Sequence, residues 1–163
     1  MPLVLSGSNG IGTNGSLWSV VPSASGVTLN GTSITATNKP MFMGRPTTDY
    51  SGGSMPTAII PIESLYNNGG HFNASNSRFT APVTGWYRTT WGGLQIPPTV
   101  TSLMVNGVRT YNGNHFNTTT PNYITMTQTV VRQLTAGDFL NVEGWNGGGY
   151  FRDWWLWSVE LIG

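Results

Sequence analysis

Residues 79–91 read Phe79-Thr80-Ala81-Pro82-Val83-Thr84-Gly85-Trp86-Tyr87-Arg88-Thr89-Thr90-Trp91. Pro82 and Gly85 predict a turn, and the aromatic and β-branched residues that follow predict an extended strand. Because proline lacks a backbone N–H, we expect Pro82 at an edge or a corner of a sheet. Alternation divides the strand into two faces, with Trp86, Arg88 and Thr90 on one and Tyr87, Thr89 and Trp91 on the other. Since both faces carry aromatic rings, we predict a core strand of a β-sandwich, packed on both sides.

The composition of the chain favours an all-β fold. Only 8% of the 163 residues are charged, whereas soluble proteins typically have about 25%. The 22 glycines and 10 prolines favour strands joined by many turns over long helices. Aromatic residues make up 12% of the chain, so we expect large rings to supply much of the buried surface.

Charge and cysteine content argue against several classes of function. A net charge of +1 provides no basic surface for nucleic-acid binding. No segment approaches the roughly 20 apolar residues of a membrane span, and residues 1–7 lack the charged start of a signal peptide. The absence of cysteine excludes a disulfide framework and a thiolate metal site. We therefore expect cytosolic synthesis and neither a nucleic-acid nor a membrane partner.

Residues 1–36 differ from residues 37–163 and are predicted to form a separate N-terminal extended arm. They are rich in Gly, Ser, Asn and Thr, and their three Asn-Gly pairs favour tight turns. Two interpretations stay open, a flexible or hairpin-like arm and an anchor whose short strands pair with another chain. The candidate anchor residues are Leu3, Val4, Leu5 and Trp18.

The turn signals and the alternation of side chains in residues 37–163 predict eight or nine short strands with no helix between them. Asn67-Asn68-Gly69-Gly70 and Asn106-Gly107 mark turns, and the Asn-Gly pair is a strong hairpin signal. The clearest alternation is in residues 123–131, with Thr125, Thr127 and Thr129 on one face and Ile124, Met126 and Val130 on the other. An antiparallel jelly-roll β-sandwich accommodates this pattern.

Five short motifs occur in order between residues 67 and 161. The central one contains Phe79, Pro82, Gly85 and Tyr87, and the next two contain Asn106-Gly107 and Gly137-Asp138; the outer two are Asn67–Phe72 and Trp157–Leu161. In these motifs the chain resembles the trimeric jelly rolls of the complement C1q and tumour-necrosis-factor superfamily. The resemblance implies a homotrimer with aromatic and aliphatic side chains around a three-fold axis. Val159 stands where the family usually has glycine, which affects the expected packing of the last strand.

The opening segment resembles a second group of proteins. Residues 3–11 are similar to segments that begin phage virion proteins, and the low charge and the abundance of Gly, Asn and Thr are similar too. The resemblance implies a protein at the virion surface, assembled in the host cytoplasm. Its partners would then be further copies of itself and other virion proteins such as the major capsid protein.

The titratable residues do not predict an enzyme. The six carboxylates are scattered singly along the sequence, and His71 and His115 do not follow a metal-ligand spacing. We therefore predict no catalytic residue, no cofactor and no metal ligand. Asp138 follows Gly137 in a predicted turn, so we expect its carboxylate to accept hydrogen bonds from nearby backbone amides. The alternative, a calcium ligand, is disfavoured because the sequence around Asp138 lacks a local cluster of carboxylates.

Residues 145–154 are predicted to form a glycine- and aromatic-rich loop that binds a ligand or partner. The candidate residues are Trp145, Tyr150, Phe151, Arg152 and Trp154. Trp and Tyr supply large contact areas at small entropic cost, and their rings can stack on sugars. The alternative is that these aromatic side chains fill a trimer core or cover one end of the sandwich.

Two functions follow from these patterns. The first is a non-enzymatic virion structural protein, a trimeric capsid decoration or head-fibre protein attached through residues 1–36. The second is a tail-fibre tip or adhesin that binds a host cell-surface glycan through residues 145–154. A secreted signalling ligand is disfavoured by the absence of a signal peptide.

Overall fold

The computed structural model describes residues 22–23, 26–29, 32–35, 39–51, 57–112, 123–145 and 147–163. The chain divides into two compact units, Met1–Lys39 and Pro40–Gly163. The boundary predicted after residue 36 falls outside the described residues. The same holds for the candidate anchor residues Leu3, Val4, Leu5 and Trp18.

The first unit contains a small antiparallel sheet. Its strands are β1 (Pro22–Ser23), β2 (Gly26–Leu29) and β3 (Thr32–Thr35), in the order β1-β2-β3. Leu29 pairs with Thr32, and β2 and β3 are antiparallel neighbours. The predicted turn at Asn30-Gly31 lies outside the described residues.

The second unit is an all-β, antiparallel jelly roll made of two sheets. Its strands are β4 (Met41–Pro46), β5 (Ala58–Ile59), β6 (Ile62–Asn68), β7 (Phe72–Asn73), β8 (Arg78–Thr80), β9 (Gly85–Ile96), β10 (Val100–Val105), β11 (Val108–Asn112), β12 (Ile124–Leu134), β13 (Phe139–Trp145) and β14 (Gly149–Leu161). The five-stranded sheet has the order β12-β9-β14-β4-β6. The six-stranded sheet has the order β11-β10-β13-β8-β7, and β5 also pairs with β13. The predicted fold class is confirmed, with more strands than the sequence pattern suggested.

No helix in the part of the chain that the structure describes is long and apolar enough to cross a membrane.

Pro82 lies at a corner where the chain passes from one sheet to the other. It stands between β8 of the six-stranded sheet and β9 of the five-stranded sheet, so the prediction of a corner is confirmed. The Tyr87 hydroxyl donates a hydrogen bond of 2.8 Å to the carbonyl oxygen of Val83 and ties the start of β9 to this turn. A Cβ atom on Gly85 would lie 2.6 Å from Leu161 Cδ1, which explains the small residue there.

The predicted alternation of β9 is confirmed, but the prediction that both faces are packed is wrong for the single chain. Tyr87, Thr89 and Trp91 are buried between the sheets, whereas Trp86 remains 49% exposed. The reason is that the six-stranded sheet covers only one face of the five-stranded sheet. The sequence showed aromatic residues on both faces but not which face the second sheet would cover.

The core is centred on a group of aromatic rings that joins the two sheets. Phe42 of β4 stacks on Phe72 of β7 with ring centroids 3.9 Å apart. Trp157 of β14 meets Phe42 edge-on at 5.0 Å, and the Trp157 indole donates a 3.1 Å hydrogen bond to the Thr89 hydroxyl. Val159 is fully buried beside them, so the last strand accommodates valine where the family usually has glycine.

Replacing Phe79 with alanine should destabilise the fold severely. Phe79 is fully buried and contacts Phe42 and Tyr87, so its removal leaves a cavity and should cost about 3–5 kcal/mol. Phe151→Ala is the matched control, because Phe151 is only partly buried, and it should cost clearly less. Urea unfolding followed by tryptophan fluorescence measures both; equal costs would contradict the central position of Phe79.

Candidate functional site

The outward face of the five-stranded sheet collects exposed apolar side chains. Seven of the ten large apolar side chains that are exposed among the described residues lie in its strands, so the exposure is concentrated on one surface. They are Met41, Leu65, Tyr66, Trp86, Val131, Trp154 and Leu156. Monomeric soluble proteins rarely expose contiguous apolar patches of large area. We call this surface the apolar face.

The strand register shows how the apolar face is arranged. Gly92 of β9 pairs with Thr127 of β12 on one side and with Leu156 of β14 on the other. In the next row, Thr90 lies between Thr129 and Ser158, and the two threonine hydroxyls are 2.8 Å apart. The centre of the face therefore carries small side chains, with bulkier ones around it.

A wide bulge in β14 displaces the chain toward the apolar face. Tyr150 pairs with Gln95 and Trp155 pairs with Gly93, so residues 151–154 stand opposite Leu94 alone. The bulge requires glycine on the facing strand, because a Cβ atom on Gly93 would lie 2.0 Å from the carbonyl oxygen of Trp154. Trp154 at the end of the bulge is 71% exposed.

Ion pairs hold the bulge against the neighbouring strands. Arg45 of β4 contacts Glu63 of β6 and Asp153 of the bulge, each at 2.7 Å. Arg152 contacts the same two carboxylates at 2.5 and 3.0 Å, and its backbone N–H donates to Asp49 at 2.7 Å. The hydrogen bond from Arg45 lowers the pKa of Glu63. A network of several charges fixes geometry better than an isolated surface pair.

The carboxylates are used for structure. Although they are scattered singly along the sequence, the fold brings Glu63 and Asp153 to the same two arginines. Glu143 pairs with Arg109 at 2.6 Å, and Glu160 pairs with Arg88. A general acid needs a raised pKa near the working pH, whereas the pKa of Glu63 is lowered. The described residues contain no group of three or more His, Cys, Asp or Glu side chains that could hold a metal ion.

The prediction of a single loop over residues 145–154 is wrong. Trp145 is the last residue of β13, and β14 already begins at Gly149. Trp145 lies in the six-stranded sheet, where its indole N–H donates to the Ser102 hydroxyl at 2.9 Å. The Arg109 guanidinium lies 4.5 Å from the centroid of the Trp145 ring and covers one face of it.

The remaining candidates of this segment have different environments. Tyr150 is 5% exposed and its burial in the core raises the pKa of its hydroxyl. The Phe151 ring packs edge-on against Tyr123 at 5.6 Å, and Arg152 belongs to the ion-pair network. Of the five candidates, only Trp154 presents a largely free ring, and it does so on the apolar face. The structure therefore separates residues that the sequence placed together.

The motif residues near the hairpin form a polar hub that joins two turns. Asn106 and Gly107 have φ values of 52° and 77°, as a two-residue type I′ hairpin turn requires. The Asn106 side chain donates to Asp138 Oδ1 at 2.8 Å and accepts the Phe139 backbone N–H at 2.9 Å. Asp138 Oδ2 accepts the Thr135 N–H at 2.8 Å within its own turn, as the sequence predicted. Gly137 has a φ of 93°, which explains the glycine in this turn.

No protein-family model and no curated protein match the sequence. Solved structures match in fold. Murine APRIL has a TM-score of 0.60 at 12% identity and covers 76% of this chain and 99% of its own. The globular domain of zebrafish complement 1qA has a TM-score of 0.57 at 20% identity and covers 77% and 98%. Eiger TNF from S. frugiperda has a TM-score of 0.56 at 9% identity and covers 77% and 94%. These likenesses show the C1q/TNF type of jelly-roll fold.

The apolar face was missed as a surface, although two signals for it exist in the sequence. One is Trp86, an aromatic residue opposite the buried face of β9. The other is the Gly92-Gly93 pair, because glycine inside a strand often marks a bulge or a close approach of another backbone. Neither signal shows that Trp154, some 60 residues later, lies beside Gly92.

Asp138→Asn should remove a pH-dependent part of the stability. The hydrogen bond from Asn106 holds the pKa of Asp138 below its ordinary value. The Asp138 carboxylate therefore stabilises the fold fully above its pKa in the unfolded chain, which is about 3.9. This stabilisation is lost as the pH falls through the lower pKa that Asp138 has in the folded chain. Urea unfolding should show the difference between wild type and variant at neutral pH, shrinking below about pH 4. A difference that stays constant into the acid range would contradict this role.

Proposed function

We propose that this chain is a non-enzymatic structural protein of a bacteriophage particle and that its jelly-roll unit self-associates as a homotrimer. The apolar face of the five-stranded sheet is the single observation that carries the self-association. Leaving Trp86, Trp154 and Leu156 in water is unfavourable. Burying apolar surface contributes about 25 cal/mol per Å² toward association, against the entropy that the copies lose when they associate.

The charges on the apolar face favour a neutral partner. Arg45 and Arg152 are matched by Glu63 and Asp153, and Arg88 is matched by Glu160. A face whose charges are matched within one chain can meet an identical face without repulsion between like charges. Aromatic residues and arginine, both present on this face, are also enriched in protein interfaces.

The particle role rests on the first unit and on composition. Residues 1–36 carry short apolar pieces between Asn-Gly pairs, which suits a segment that orders on a larger assembly. In this proposal they attach the trimer to the major capsid protein, as a capsid decoration or head-fibre protein at the virion surface. Assembly takes place in the host cytoplasm, without a cofactor, nucleic acid or membrane.

A second candidate function is a tail-fibre tip or adhesin that binds a host cell-surface glycan. The observation that favours it is the free ring of Trp154 beside the hydroxyls of Thr125 and Thr127, which line the same depression. An exposed aromatic ring with nearby hydroxyl groups suits a sugar. Trp145 does not take part in this version, because Arg109 covers its ring.

The chain of 163 residues should be a trimer in solution. The physical reason for association is the apolar face, which would otherwise stay in contact with water. The number of three copies comes from the resemblance to the trimeric C1q/TNF jelly rolls. Native mass spectrometry at micromolar concentration measures the number of copies directly. A monomer under these conditions would contradict the proposed self-association.

Gold-labelled antibodies on purified particles should mark the head, and a variant without residues 1–36 should no longer join particles. The contacts of Pro40–Gly163 form a unit of their own, so the truncated chain should keep its fold and its oligomeric state. Circular dichroism and native mass spectrometry of this variant are the controls. Label at the tail tip would instead favour glycan binding, and an unfolded truncated chain would place the arm in the core.

A further inference from the structure

A ridge and a groove lie side by side on the apolar face. The ridge consists of Trp154 and Leu156 of β14. The groove has a volume of about 530 Å³ and runs beside the ridge over Gly92, between Thr90 and Thr127. This volume falls in the range of about 300–1,000 Å³ that is typical of pockets for drug-sized ligands, so it is large enough for an indole ring.

The floor of the groove is Gly92, and no larger residue at this position could fill the groove. Gly92 has a φ of +129°, and a Cβ atom on it would lie 2.0 Å from the carbonyl oxygen of Met126. Any other residue at this position would both strain the backbone and collide with β12. The groove is therefore a direct consequence of how closely β9 approaches β12.

The ridge is held in place before any partner arrives. The bulge of residues 151–154 follows the backbone of Gly93, and Arg152 and Asp153 fix it through the ion pairs with Arg45 and Glu63. An aromatic side chain on a fixed backbone loses little conformational freedom on binding. Residues of this kind, above all tryptophan, dominate the binding energy of protein interfaces.

The ridge of a second copy matches the size and the chemistry of the groove. The groove walls are hydroxyl and aliphatic groups, and the nearby charges of Arg45 and Asp153 are already paired with each other. Such walls suit a neutral aromatic group with one N–H donor, which describes an indole. Because ridge and groove lie on the same face, a rotation between copies can place each ridge in the groove of the next copy. Contacts of this head-to-tail kind close into a ring of three when the rotation between copies is one third of a full turn.

We propose that Trp154 is the anchor residue of self-association and that its indole enters the groove over Gly92 on a neighbouring copy. This inference rests on the self-association proposed above and adds the residue and the cavity that hold the copies together. The same arrangement would bury Trp154, so it competes with a glycan at this position.

The test is a dilution series of the 163-residue chain, followed by native mass spectrometry and sedimentation. Trp154→Ala should raise the dissociation constant at least about 30-fold, which corresponds to a hot spot of about 2 kcal/mol. Trp145→Ala is the matched control, because Trp145 lies in the other sheet, and it should leave assembly unchanged. Trp154 is largely exposed in the single chain, so the variant should fold, which circular dichroism checks.

A variant on the groove side makes the test specific. Thr127→Arg places a charge in the groove and should weaken assembly in the same way as Trp154→Ala. In a mixture of the two variants, the Trp154 ring of Thr127→Arg can still enter the unchanged groove of Trp154→Ala. The mixture should therefore associate more strongly than either variant alone.

Three results are distinguishable. A monomeric wild type overturns the proposed self-association itself. A trimeric wild type that survives Trp154→Ala but dissociates on Trp86→Ala overturns the anchor role and leaves the self-association standing. Equal weakening by both single variants without recovery in the mixture overturns the ridge-in-groove contact.

Discussion

The stacking of aromatic rings between the two sheets is the contact on which the rest of the structure depends. Phe42 and Phe72 belong to different sheets and lie 3.9 Å apart, with Trp157 edge-on to both rings. A chain with only 8% charged residues and no disulfide relies on such apolar contacts for its stability. Once these rings are in place, the inward face of the five-stranded sheet is filled and its outward face has no cover within the unit.

This arrangement connects the packing of the core to the proposed self-association. Alternation sends every second side chain of β9 and β14 outward, and several of these are large and apolar. In a protein that worked as a monomer, polar residues would be expected at such positions. Their apolar character supports the proposed association, and paired charges around them, such as Arg88 with Glu160, are matched within one chain.

Two adjacent glycines shape the surface of the five-stranded sheet. Gly92 lets β12 approach and leaves a groove, while Gly93 accepts the bulge that raises Trp154 beside it. The adjacent glycines thus shape both sides of the proposed contact. Their effect is geometric, since neither contributes a side chain.

The sequence alone determined the features that follow from local rules. It predicted the all-β jelly roll, the corner at Pro82, the hairpin at Asn106-Gly107 and the alternation of β9, because proline, glycine and strand periodicity act over a few residues. It also predicted that Asp138 bonds the backbone of its own turn, which is again a local contact.

Only the tertiary structure decided which faces are covered and which distant residues meet. Trp86 is exposed because the second sheet packs on the other side of β9, a choice that aromatic residues on both faces leave undetermined. Trp145 and Trp154 lie in different sheets although nine positions separate them, because β13 and β14 belong to different layers. Arg45 and Asp153 are 108 positions apart in the sequence, yet they form a hydrogen bond because β4 and β14 are neighbours in the same sheet. Contacts of this kind depend on how strands are ordered and layered, which no local pattern encodes.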